Sequence, residues 1–363
     1  LVYYIKHGEN DYEEVPYDSV VIRNWWEPGY VKYFYKKHDP VTFYPTGDAG
    51  AVYVFGNDTK ILNSKFNNNF GDNNGGGIYI LGQRTLVENS EFHDQECKNG
   101  TIFIKGNDTT VKDCKFKDNQ AIDGSAIYIE GMNTIISNTT FKDNNGTNGT
   151  VYIKGDNTKI VSGSKFNENN ASYGGGIYIL GKNTEISASD FENNNATQDG
   201  GGIYIKGDNT QIKDGSSFTD NHAVNGGGIY LGGTNSEISA TNFVGNNATH
   251  DGGGIYVRGN NTKAIAGSNF TENYAAHDGA GMYIEGMNTL ISDSNFKKNN
   301  ATNGAGMYIK GSKTNITSGS NFIENQAVNG AGAFLEGSNT LVSGSIFERN
   351  NATQGAGMYI KGN

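Results

Sequence analysis

Two cysteines in 363 residues are too few for a disulfide framework. Cys97 stands where other repeats carry Ala121, Ala171, Ala196 and Ala223, and Cys114 where they carry Ser90, Thr139 and Ser164. Both read as small buried spacers at different angular positions, with no bond between them. Proline is scarcer than in an ordinary chain, and its four copies (Pro16, Pro28, Pro40, Pro45) all precede residue 49. Basic charge is short: 28 Lys and Arg against 38 Asp and Glu give a net charge of -10, which argues against a nucleic-acid partner. No apolar run reaches 18 residues, so no membrane insertion by a helix is expected. Only 35% of residues are hydrophobic, poor for a globular core but enough for a solenoid in which each coil buries one inward face. There is no initiator Met and no signal peptide, so the chain is expected to be processed or part of something longer.

What is abundant is glycine, 52 residues, arranged in a recurring phrase. Gly75-Gly-Gly-Ile-Tyr-Ile80 returns at 174–179, 200–205 and, ending in Leu231, at 226–231. It drifts to Gly-Ala-Gly-Met-Tyr-Ile at 304–309 and 355–360. Its central aromatic is Tyr53, Tyr79, Phe103, Tyr128, Tyr152, Tyr178, Tyr204, Tyr230, Tyr256, Tyr283, Tyr308, Phe334 and Tyr359, at spacings of 24 to 27 residues. A fixed period of that size means stacked structural repeats. Between the aromatics the unit reads Gly-x-Asn-Thr-x-Ile, Ser-x-Phe-x-x-Asn and Asn-Ala-Thr. An Asn follows the Phe by three residues in 11 of 12 repeats, with Phe92 and Gln95 the exception. Apolar runs of three to five residues, punctuated by Gly, Asn, Asp and Ser, are strand and turn signals without a helical period.

The expectation is an all-β chain: a right-handed parallel β-helix, or solenoid, of about 13 coils over residues 49–363, with a non-repeat N-terminal cap over 1–48. Coils stacked at ~4.8 Å would make a rod of roughly 60 Å. The first 48 residues hold all the Pro, Trp25, Trp26, eight Tyr and a strand-like stretch, Val31–Tyr35. They suit either an end cap or a docking segment for a neighbouring domain or subunit. From Tyr152 onward the Tyr-to-Phe spacing alternates between 14 and 13, the longer form carrying an inserted Gly (Ser162-Gly-Ser164, Ser318-Gly-Ser320). That looks like growth by duplication of coil pairs.

Charge sets the facing. The residue after each Ile-Tyr-Ile is often charged, as in Lys105, Glu130, Lys154, Lys206, Arg258, Glu285, Lys310, Glu336 and Lys361, and such residues face water. Strand residues two apart share a face, so the Tyr points out and its flanking Ile residues point in. The Phe, with the Ser or Thr two before it, joins the inward set. The Asn three after the Phe belongs at a corner, where stacked amides can hydrogen-bond from coil to coil.

The paired Gly-Gly-(Gly/Ala)-Ile and Phe-x-x-Asn signals resemble the repeats of the chlamydial polymorphic outer membrane proteins. The Asn- and Thr-rich setting is similar to that of the large adhesin-like surface proteins of methanogenic archaea. The resemblance spans residues 49 to 363 and rests on scaffold residues. It implies a right-handed parallel β-helix, secretion, and a role at the cell surface, often adhesion. It carries no binding site across. The sequence lacks the C-terminal barrel of the chlamydial proteins.

Three sets of residues are candidates for more than scaffold. The exposed aromatic stripe (Tyr53, Tyr79, Tyr128, Tyr152, Tyr178, Tyr204, Tyr230, Tyr256, Tyr283, Tyr308, Tyr359) either covers the sheet, contacts another protein or rod, or forms a glycan platform. His250-Asp251 and His277-Asp278 fall at one position of adjacent coils and could hold calcium or zinc, against the plainer reading of a solvated turn. Thirteen of the Asn-x-Ser/Thr sites are taken as candidates for N-glycosylation: Asn57, Asn107, Asn138, Asn145, Asn148, Asn170, Asn195, Asn247, Asn260, Asn269, Asn300, Asn315 and Asn351. No catalytic set is recognisable, and the acids Glu168, Asp220, Glu272 and Glu324 recur at a turn as solvated decoration. The functional expectation is a secreted, non-catalytic, surface-exposed adhesin or stalk. A subunit of an end-to-end filament or sheath is an alternative, and a polysaccharide lyase or hydrolase of the β-helix type is another. No cofactor is expected beyond a possible calcium ion. Partners would be other copies or further domains at the chain ends, or a surface protein or glycan. The filament reading gains from a last coil that stops at Tyr359-Ile-Lys-Gly-Asn363 without a cap, leaving strand edges to be completed.

Overall fold

Each repeat of about 25 residues turns four corners, and the corners explain the Asn, Asp and Gly content. In the repeat beginning at Gly124 the left-handed residues are Gly124 (φ 59°), Asn133 (57°), Asn138 (44°) and Asp143 (55°). Such backbone is strained for most side chains and mildest for Gly, Asn and Asp. Between the corners lie strands of two to five residues. A computed structural model describes residues 2–6, 12–16, 31–33, 48–265 and 267–362, and every regular element among them is a strand.

The strands stack into three long parallel sheets. The tyrosine sheet runs from Val52–Val54 to Met358–Ile360, with thirteen parallel strands in register. A second sheet runs from Lys60–Leu62 to Leu341–Val342, and the phenylalanine sheet from Lys65–Asn67 to Ile346–Glu348, each with twelve strands. A short fourth sheet, Asn170–Ala171 to Tyr274–Ala275, occupies the remaining side. The solenoid therefore has twelve complete turns, and the thirteenth repeat contributes its tyrosine strand, where about 13 coils were expected. At ~4.8 Å per turn its length is roughly 58 Å.

Val31–Tyr33 pairs antiparallel with Val52–Val54, at the start of the tyrosine sheet, and Val2–Lys6 pairs antiparallel with Tyr12–Pro16. Trp25, Trp26 and the remainder of the expected cap or docking segment lie outside the described residues.

The interior is a set of side-chain columns. The Phe rings from Phe66 to Phe347 stack at 4.5–5.1 Å between centroids. Ile and Val of the other two sheets pack against them, mostly without solvent contact. The Ser and Thr two before the Phe are buried as expected, and so are both cysteines, which are free. Burial pushes the Cys97 thiol up to about 12 and that of Cys114 to about 11, so neither forms a thiolate at neutral pH.

The Asn after the Phe forms the expected ladder. Asn144 Nδ2 donates to Asn169 Oδ1 at 3.0 Å and to the Phe116 carbonyl at 3.1 Å, while its Oδ1 accepts from Asn119 N and Nδ2 at 3.2 and 2.9 Å. One side chain thus ties three coils. Gln95 keeps the pattern, accepting from Asn69 Nδ2 and donating to the Phe66 carbonyl, both at 2.9 Å. The inserted glycines of the longer coils also find their reason here. Gly163, Gly215, Gly267 and Gly319 share a φ of 77–80°, so each extends one corner by a residue that only Gly tolerates well.

Candidate binding face

The aromatic stripe lies outside the core, as the charge pattern required, but it is not exposed. Its rings stack at 4.7–5.3 Å along the whole tyrosine sheet. Tyr79, Tyr128, Tyr178, Tyr204, Tyr230, Tyr283 and Tyr308 keep only 5–8% of their surface. Tyr53, Tyr152, Tyr256 and Tyr359 are half-buried. From Tyr79 to Phe334 each ring is covered on both faces by its neighbours, so within the column no face is left for a sugar ring to stack on. This corrects the exposed column inferred from the sequence.

Two ladders border the stripe. On one side run the charged residues that follow the strand. Lys154 meets Glu130 at 2.9 Å, Lys361 meets Glu336 at 3.1 Å, and Arg258 and Lys310 each stand 3.9 Å from Glu285. These residues also hold the phenols: Tyr256 donates to Glu285 at 3.1 Å, Tyr308 donates to Glu336 at 2.7 Å, and Lys206 donates to the Tyr178 hydroxyl at 3.1 Å. On the other side runs a ladder of Asp and Asn just before the glycine corner. Asn148 donates to Asp123 at 2.7 Å, Asn225 to Asp199 at 2.9 Å, Asn303 to Asp278 and Asn329 to Asn303 at 2.8 Å. Sequence reasoning missed this ladder, although the Asn or Asp preceding each glycine run signals it. Tyr173 takes its place in one coil and tilts its ring against Tyr204 at 5.2 Å.

Burial dominates the electrostatics of the stripe. It pushes Tyr79 and Tyr204 up to about 12 and raises Tyr128, Tyr152, Tyr256, Tyr283 and Tyr308 as well. Asp199 and Asp278 are raised by burial too, each partly offset by the amide that donates to it. Raised in this way, Tyr79, Tyr128, Tyr152, Tyr204, Tyr256, Tyr283 and Tyr308 are neutral phenols at neutral pH.

His250 and His277 do come together, with rings stacked at 4.3 Å and 14° from parallel. Asp251 accepts from His250 Nδ1 at 2.9 Å, and its other oxygen accepts from the Asp278 backbone N–H at 3.0 Å. Asp278 in turn accepts from Asn303. As the side chains lie, the four residues do not converge on one point for an ion. An imidazole binds an ion in its own plane at ~2.0–2.1 Å, and an ion placed so for one ring lies out of the plane of the other. The carboxylates are already committed to the ladder, far from the six to eight oxygens calcium takes. Among the described residues no group of three or more His, Cys, Asp or Glu is arranged to hold a metal ion. His250, Asp251, His277 and Asp278, the residues of the metal expectation, thus lie as a stacked pair of rings beside the Asp and Asn ladder.

Glu168, Asp220, Glu272 and Glu324 sit at left-handed corner positions (φ 52–57°), Glu324 half-exposed and the other three exposed. The candidate glycosylation residues all reach the surface. Asn57, Asn138, Asn145, Asn170, Asn300, Asn315 and Asn351 are exposed, and Asn107, Asn148, Asn195, Asn247, Asn260 and Asn269 are half-exposed.

Residues 41–190, 125–276 and 227–363 each match the family model described as the right-handed beta helix region. No curated protein matches the chain. Among solved structures, the chain is similar to the A-module of mannuronan C-5 epimerase AlgE6 from Azotobacter vinelandii. The pair are 14% identical over 79% of this chain and 90% of that one, with a TM-score of 0.42. A likeness that loose bears on neither site nor chemistry.

Proposed function

Since the chain belongs to the right-handed β-helix family, we propose that it is a non-catalytic rod, displayed at the cell surface as an adhesive or structural stalk. The observation that supports this reading is the unbroken register of its outer columns. From Tyr53 to Tyr359 every stripe residue pairs with its counterpart in the next coil. A polysaccharide-cleaving site would need acids and bases that break the repeat on one face. Acids of this chain instead sit at repeating corners, in ladders with Asn, or against Lys and Arg of neighbouring coils. A rod with satisfied columns is a spacer that resists bending.

A filament subunit is the second reading, since the strand edges at the end of a parallel solenoid can be extended by strands of another copy.

Antibody labelling and fractionation of the native cells, with electron microscopy of the released protein, tests both readings. Label on the outer surface and separate rods of at least ~58 Å support the stalk. End-to-end fibres support the filament. Protein confined to the cell interior, or cleavage of an acidic polysaccharide by the purified rod, refutes the proposal.

A further inference from the structure

The residue four after each Phe stands on the outer face of the short fourth side, in several coils beside a buried Ala, as in Asn170–Ala171, Asn195–Ala196 and Asn247–Ala248. Read along the rod, this column alternates. Asn145, Asn195, Asn247, Asn300 and Asn351 each open an Asn-x-Thr triplet, and each stands two coils from the next. The coils between them carry Asn170, His222, Tyr274 and Gln326. Parallel bridges tie the column together: Asn145 to Asn170, Asn170 to Asn195, Asn247 to Tyr274, Tyr274 to Asn300, and Asn300 to Gln326. The five triplets fall only on coils with the 13-residue Tyr-to-Phe spacing, never on those lengthened by Gly163, Gly215, Gly267 or Gly319. Thr147, Thr197, Thr249, Thr302 and Thr353, the third residue of each triplet, are all exposed.

From this placement we propose that Asn145, Asn195, Asn247, Asn300 and Asn351 carry N-linked saccharides, forming a single row along one side of the rod. The inference rests on the surface-display reading, because the modification needs export. The donor is a saccharide held on a lipid diphosphate. The Asn Nδ2 attacks the anomeric carbon and the C–N bond forms as the C–O bond to the diphosphate breaks. The lipid diphosphate leaves, and one Nδ2 proton is lost to a base of the transferase. Two coils separate the acceptors by ~9.6 Å, which gives each bulky saccharide room. Asn170 breaks the alternation, lying one coil from acceptors on both sides. Its Nδ2 donates to Asn145 Oδ1 at 3.2 Å and its Oδ1 accepts from Asn195 Nδ2 at 2.7 Å. With Asn145 and Asn195 occupied, Asn170 is crowded out.

Site-resolved glycopeptide mass spectrometry of the full chain, taken from the native cell surface, tests the row. The expected result is sugar on the five alternating residues, with Asn170 at least tenfold less occupied than Asn145 and Asn195. Bare residues in surface-derived protein overturn the row while leaving surface display intact. So does occupancy of Asn170 equal to its neighbours, or sugar spread without preference over Asn57, Asn107, Asn138, Asn148, Asn260, Asn269 and Asn315. Protein found only inside the cell would fail the display reading itself, and the row with it.

Discussion

Replacing Asn221 by Ala should loosen the middle of the rod and leave its ends intact. Asn221 is fully buried. Its Oδ1 accepts from Asn194 N and from Asn194 Nδ2, both at 3.0 Å. Its Nδ2 donates to the Phe191 carbonyl at 2.9 Å and to Asn246 Oδ1 at 3.0 Å. Truncation removes the acceptor of two buried N–H groups on Asn194 and takes one donor from Phe191. Asn246 Oδ1 keeps the Asn221 backbone N–H at 3.1 Å, so that end of the ladder survives. Two stranded donors at ~1–3 kcal/mol each predict a loss of ~2–6 kcal/mol. A global melting curve would blur this, because a stacked array opens locally. Native-state hydrogen exchange reads it directly. At ~1.4 kcal/mol per tenfold, protection should fall roughly 30-fold to 10⁴-fold in the turns holding Asn194, Asn221 and Asn246. Amides near Phe92 and Phe322 should keep their protection. Asn221→Gln is the control, since Gln95 already serves the ladder, and it should lose much less. A fall under about fivefold for Asn221→Ala would refute the view that the amide column holds the coils together.

Other outcomes follow from the same columns. Phe243→Ala removes a ring stacked at 5.0 Å on Phe218 and 4.8 Å on Phe270; it should destabilise its turns by ~3–5 kcal/mol, measured as lost exchange protection. Gly226→Ala forces a Cβ into the Ile229 carbonyl at φ 64°, whereas Gly215→Ala meets nothing within 4 Å at φ 80°. The first should therefore cost clearly more than the ~1–2 kcal/mol of left-handed strain that the second pays alone, and comparison of exchange protection in the turns around each site decides it. Phenolate absorbance should show few stripe tyrosines ionising near pH 10. Burial holds Tyr79 and Tyr204 at about 12, so their contribution is intact below the unfolded value of 10 and disappears as pH rises from 10 to about 12. Alkaline unfolding and the ionisation of Tyr79 and Tyr204, read as the difference from a Tyr79→Phe, Tyr204→Phe variant, should then coincide in that window, and their ionisation at pH 10 in the folded rod would contradict the burial. Glu285→Gln should shift stability by no more than ~1 kcal/mol, because its ionic partners Arg258 and Lys310 stand 3.9 Å away and largely in water, and the Gln carbonyl still accepts from the Tyr256 hydroxyl.

Much of this scaffold was legible in the sequence because a parallel solenoid writes each column at a fixed interval. The Ile pairs, the Phe column, the buried Ser and Thr and the amide ladder each needed only alternation and recurrence to be placed. Gln95 could be read as a tolerated member for the same reason, since it carries the same donor and acceptor one methylene further out. The tyrosine stripe shows where that reasoning stops. Direction along a strand is a local property, so Tyr204 could be turned outward from the charge of Lys206 two residues on. Exposure is not local. Tyr204 is covered by Tyr178 and Tyr230, 26 residues away on either side, and by Tyr173 from the glycine corner. The same limit governed His250 and His277. Their recurrence rightly placed them in adjacent coils, but in-register stacking lays the two rings face to face instead of aiming both at one point. Stacking in register thus has one consequence for every outward residue of the rod. It brings like side chains face to face, favours groups that stack or pair with themselves, and leaves only edges and every-second-coil positions free for anything larger.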